Sequence, residues 1–150
     1  MQLGNSSLAG LPQPVRGNHR PRESATIAVL AITPHQKDLD SLEVILRSPH
    51  YRVVAAPTLS DALGCVQKQV FSVVICDRDL PDGDWRALLE RLGTVENSPR
   101  LIVCSRLADY RLWAEVLNLG GYDVLITPFD REEVLRVICQ AAGTLWAGEA

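Results

Sequence analysis

No apolar run in this 150-residue chain approaches the roughly 18 residues that a membrane-spanning helix requires. The opening stretch MQLGNSSLAG has neither the basic region nor the apolar region of a secretory leader. A cytoplasmic location without a membrane partner is therefore expected. Clustered basic charge is missing as well: 15 Lys and Arg are scattered among 18 Asp and Glu, for a net charge of -3. Gripping a phosphate backbone needs basic residues concentrated on one face, so direct nucleic-acid contact is not expected. Cys65, Cys76, Cys104 and Cys139 have no CxxC spacing and fall within helix-like or strand-like stretches. They are read as reduced thiols packed as small hydrophobes, not as a disulfide or a metal site.

What is present suits one domain with a single core, since 47% of the residues are hydrophobic. Residues 1–24 stand apart. They hold Pro12, Pro14, Pro21, Gly4, Gly10 and Gly17, with Arg16, Arg20 and Arg22 against Glu23, and read as a flexible tail or linker. The domain is expected over residues 25–148. TIAVLAI, beginning at Thr26, is a continuous apolar run of strand length, as a strand covered on both faces requires. Leu39, Leu42, Ile45 and Leu46 recur at helical spacing, and Pro49 stops the pattern. YRVVAA, FSVVICD, RLIVCS and DVLIT are the further strands. TLSDALGCVQKQ, WRALLERLG, DYRLWAEVLNLG and DREEVLRVICQAAGTLW are the further helices. Thr58 with Asp61, and Asp130 with Glu133, mark two helix starts, and Gly93 is read as closing the third helix.

Five strands alternating with five helices imply right-handed βαβ units: an α/β fold with a doubly wound, five-stranded parallel sheet in the order 2-1-3-4-5, a flavodoxin-like three-layer sandwich. Ligands of such sheets bind at the carboxyl ends of the strands where the order reverses, here strands 1 and 3. ITPHQ and CDRDLPDGDW therefore face one another.

The stretch VVICDRDLPDGDWRALLERL, together with LNLGGYDVLITPFDREEVLRVI, resembles the response-regulator receiver domain of two-component signalling, over Thr26 to about Trp146. The resemblance places Asp77 at the phosphoacceptor position, the nucleophile that takes a phosphoryl group from a histidine kinase. It places Ser105 at the hydroxyl that bonds the phosphoryl oxygen. The family's acidic pair after strand 1 falls on Thr33 and Pro34, and its lysine on Thr127. A hard Mg²⁺ ion needs anionic oxygens, so half of the metal site is expected to be missing, along with the bridging cation. Val124 stands at the position of the family's switch aromatic. These departures read as an atypical receiver, not an enzyme, that acts mainly through protein contacts. The alternative keeps phosphorylation at Asp77, with Asp79 or water completing a weak Mg²⁺ shell. A flavodoxin-like cofactor site is disfavoured, because the loop after strand 1 has no glycine and no Ser or Thr run to cradle a phosphate.

Beside that frame, Arg106 is read as an exposed arginine, or else as a guanidinium standing in for metal and lysine by pairing with Asp77 or Asp79. His35 is read as a loop residue. Asp82 and Gly83 are assigned to the turn after Pro81, and Asp84 to the start of the third helix. Trp85 and Trp113 are read as partial core or interface residues, and Trp146 as a packing residue near the end of a long last helix. The resemblance also implies a cis bond between Thr127 and Pro128. The expected partner surface is helix 4, strand 5 and helix 5, with Asp109, Arg111, Glu115, Asp123, Glu133 and Arg136 as candidates. Its occupant is a protein partner or a second copy.

Overall fold

The computed structural model describes residues 26–144. The expected tail and Trp146 lie outside the described residues, as do the ends of the expected domain. The sheet strands are β1 (Ile27–Ile32), β2 (Tyr51–Ala56), β3 (Val73–Asp77), β4 (Arg100–Ser105) and β5 (Asp123–Ile126). The helices are α1 (Gln36–Ile45), α2 (Leu59–Lys68), α3 (Trp85–Leu92), α4 (Tyr110–Leu119) and α5 (Arg131–Ala142). All strand pairs of the sheet are parallel, in the order β2-β1-β3-β4-β5. The expected doubly wound architecture is the observed one.

The apolar runs owe their continuity to burial on both faces. Ala28, Leu30 and Ile32 of β1 join one core layer with Ala62, Val66, Trp85, Leu88, Leu112 and Val116 of α2, α3 and α4. Ile27, Val29 and Ala31 point the other way, against Leu42 of α1 and Val134, Leu135 and Ile138 of α5. Each fully buried aliphatic side chain contributes about 1.5–3 kcal/mol. The four cysteines are free thiols, three buried and Cys65 partly exposed.

Local chemistry starts the helices where the sequence pattern placed them. The side chains of Thr58, Asp84, Asp109 and Asp130 accept from the backbone N–H of Asp61, Ala87, Leu112 and Glu133. Two helix ends differ from expectation. Gly93 caps α3 in a right-handed conformation, so no left-handed glycine motif closes that helix. The last helix stops at Ala142, because Gly143 adopts a left-handed φ of 77°. One element went unforeseen: Asp79–Leu80 and Gly83–Asp84 form a two-residue antiparallel ribbon after β3.

Candidate functional site

β1 and β3 are adjacent, so their carboxyl ends bring the β1–α1 loop against Asp77, the last residue of β3. The Asp77 side chain is 14% exposed. Its Oδ2 accepts from the Thr33 hydroxyl at 3.4 Å and lies 3.3 Å from His35 Nε2. Its Oδ1 accepts from the Asp79 N–H at 3.3 Å. Burial pushes the Asp77 carboxyl above its ordinary pKa. The Asp79 amide, the His35 side chain and the Thr33 hydroxyl oppose that shift, whereas the charge of Asp38 adds to it. Cys104 pairs with Asp77 across the β3–β4 ladder, and its thiol is raised by burial first and by Asp77 second.

Thr33 and Thr127 are both buried, and Pro34 is exposed. The Thr127 amide donates to the Ser105 carbonyl at 3.1 Å, and the Thr127–Pro128 bond is cis, as the resemblance implied. Ser105 is half-buried at the end of β4, where its hydroxyl accepts from the Leu107 N–H. The topology thus gathers Asp77, Thr33, Ser105 and Thr127 at one end of the sheet.

His35 and Asp82 take places the sequence did not suggest, while Arg106 is the exposed arginine of its first reading. His35 is more than a loop residue: it lies on Asp77, although its side chain is 54% exposed. Arg106 is exposed and forms no ion pair with Asp77 or Asp79. Asp79 is exposed and pairs instead with its neighbour, Arg78 Nε to Oδ2 at 3.1 Å. Asp82 does more than shape a turn. Its carboxylate accepts from the N–H groups of Leu59 and Ser60, so it ties the loop after β3 to the start of α2. Those bonds hold its pKa below the ordinary value. Trp85 is fully buried core, and its indole N–H has no hydrogen-bond partner.

Asp38 was missed. It is 7% exposed, on the first turn of α1 beside Asp77. The signal was available, because Asp38 and Leu42 are four residues apart and share the buried stripe of the helix.

A hard divalent ion needs several anionic oxygens brought together. Around Asp77 stand the Thr33 hydroxyl, the His35 imidazole and, on α1, the Asp38 carboxylate, while the Asp79 carboxylate is turned to Arg78. Among the described residues, no group of three His, Cys, Asp or Glu side chains is placed to hold a metal ion.

Of the residues expected at a partner surface, some are engaged within the chain. Asp109 caps α4, Asp123 accepts from the Val124 N–H, and Glu115 pairs with Arg86 of α3. Arg111 is exposed, while Glu133 and Arg136 are half-buried on α5. The exposed area is apolar: Tyr110, Trp113 and Leu117 form a stripe on α4 next to Ile126 of β5. The Tyr110 and Trp113 rings are 5.8 Å apart. An open groove of about 280 Å³ runs between α4 and α5, lined in part by Tyr110, Trp113, Val124, Ile126 and Glu133.

The family description "Response regulator receiver domain" matches residues 29–139. The chain belongs to that family and is a receiver domain of two-component signalling. It is 25% identical over 115 residues to the transcriptional regulatory protein ZraR of Salmonella typhimurium, covering 77% of this chain and 26% of that protein. The chain thus spans about a quarter of that relative's length. The signal receiver domain of an HD domain-containing protein from Pseudomonas fluorescens Pf-5 superposes with a TM-score of 0.71 at 26% identity, covering 79% of this chain and 88% of that one. The beryllofluoride-activated NtrC4 receiver domain dimer gives a TM-score of 0.71 at 25% identity, covering 77% of this chain and 96% of that one. Among the described residues, no helix is long and apolar enough to cross a membrane.

Proposed function

We propose that this receiver domain is an atypical one, which has lost efficient metal-dependent phosphorylation and signals through a surface on α4, β5 and α5. One observation carries the reading: the pocket around Asp77 offers Thr33, Pro34 and Thr127 where metal carboxylates and a lysine would stand. Phosphoryl transfer depends on positioning and charge neutralisation, so this loss costs several kcal/mol of barrier, on the order of one to several catalytic groups. Asp77 remains at the phosphoacceptor position and Ser105 at the hydroxyl position, within a frame that lacks their cationic partners.

The signalling surface is assigned to a second copy of this chain. Arg111 on α4 and Arg136 with Glu133 on α5 give these helices charges of both signs, which suits a self-complementary twofold interface. The stripe of Tyr110, Trp113 and Leu117 supplies its apolar centre. That the NtrC4 receiver is described as a dimer supports the same reading. The test is Mg²⁺-dependent loading of Asp77 by a small phosphodonor or beryllofluoride, for which the reading predicts no adduct.

A further inference from the structure

We propose that His35 is a gate on Asp77: its imidazole pairs with the carboxylate, covers Oδ2, and must swing out before a reagent reaches that oxygen. The inference rests on Asp77 being the focus of the receiver site, and it assigns to a side chain of this loop the place that a cation would take.

The geometry supports it from three directions. First, His35 Nε2 lies 3.3 Å from Oδ2, the oxygen that also accepts from Thr33, while Oδ1 takes the Asp79 N–H. Both carboxylate oxygens are therefore engaged within the chain. Second, Thr33 fixes the loop that carries the gate. Its Oγ1 accepts from the His35 N–H at 3.0 Å while donating to Asp77, so one hydroxyl couples the gate's backbone to the group it covers. The His35 carbonyl accepts from the N–H groups of Asp38 and Leu39, which anchors the same residue to the first turn of α1. Third, the imidazole itself is not trapped. At 54% exposure against 14% for Asp77, a side-chain rotation carries it into solvent without disturbing the core.

The electrostatic setting favours a closed gate. Asp38 on α1 and Asp77 are two carboxylates on one buried patch, and no basic side chain of the described residues other than His35 is paired with Asp77. Arg78 and Arg106 flank the pocket in sequence, but Arg78 is engaged by Asp79 and Arg106 is exposed. Cys76 and Cys104, from β3 and β4, are buried thiols that carry no positive charge. Among the described residues, His35 is thus the basic side chain placed against the carboxylate.

The experiment measures the reactivity of Asp77 toward a water-soluble carbodiimide with a small amine, resolved by peptide mass, in the wild-type protein and in His35→Ala and His35→Phe. This chemistry needs neither metal nor phosphodonor, so its outcome is independent of whether the domain is phosphorylated. Labelling of Asp77 is expected to rise about threefold in both variants, the size of effect that one partly exposed polar contact gives. Labelling of Asp40 and Asp61, both exposed, normalises for reagent activity, and far-UV circular dichroism reports whether the fold is retained. Unchanged or slower labelling in His35→Ala would overturn the gate. Protection retained in His35→Phe would also overturn it, because a ring of similar bulk would then suffice without pairing.

Discussion

Asp77 is held in surroundings that disfavour its charge, and the consequence is a stability that depends on pH. Burial raises its folded-state pKa above the ordinary value of 3.8. The folded chain therefore keeps this proton to higher pH than the unfolded chain does. The resulting penalty is absent below about pH 3.8, grows as pH rises to the folded value, and is complete above it. Asp77→Asn removes the penalty while retaining an acceptor for the Asp79 N–H. Thermal melts should show the variant to be the more stable at pH 7, with the gap closing as pH falls toward 4. A variant less stable than wild type at pH 7 would mean that the contacts from His35 and Thr33 outweigh the cost of burial. At this scale the sequence was only partly legible. Asp77, Thr33 and Thr127 followed from the resemblance to the receiver family. His35 and Asp82 did not, because their partners lie 42 and 22 to 23 residues away and no local pattern reports them.

Among the elements, the junction of α4 and β5 is closely packed. Gly120 turns the chain with a φ of 108°, and a Cβ on Gly121 would stand 2.5 Å from Val116 Cγ1 and 3.1 Å from the Val116 carbonyl oxygen. Since a backbone oxygen cannot yield as a side chain can, Gly121→Ala should force α4 away from the sheet at a cost of about 1–3 kcal/mol. Urea unfolding checks this. A midpoint equal to that of wild type would show that the junction has slack. The elements themselves were readable, because strands buried on both faces give unbroken apolar runs and four helix starts carry capping side chains. Helix ends were less so. Gly143 stops α5 earlier than the apolar spacing suggested, since a left-handed residue overrides a periodicity that would otherwise continue. The ribbon after β3 was missed because two residues are too few to show an alternation.

For the molecule as a whole, the fold was legible in the order of its elements, since alternating strands and helices leave few topologies that close right-handed. The make-up of the α4, β5 and α5 face was not. Charged residues suggested it, whereas Asp109, Asp123 and Glu115 are engaged within the chain and the accessible centre is Tyr110, Trp113, Leu117 and Ile126. Trp113 is 42% exposed, so Trp113→Glu should leave stability within about 0.5 kcal/mol while weakening self-association in sedimentation velocity. A wild-type protein that sediments as a monomer at high concentration would sink the second-copy assignment. Concentration-dependent association unchanged by Trp113→Glu would move the interface elsewhere.

At the sheet's carboxyl edge, the proposed loss of efficient phosphorylation rests on Thr33 and Pro34 at the family's acidic-pair positions and Thr127 at its lysine position. Its most direct test is a backbone-amide NMR spectrum recorded with Mg²⁺, before and after beryllofluoride, with Asp77→Asn as the control. The account predicts that the amides of Arg78, Asp79, Ser105 and Arg106 stay where they are. Mg²⁺-dependent shifts at these residues, present in wild type and absent in Asp77→Asn, would contradict it.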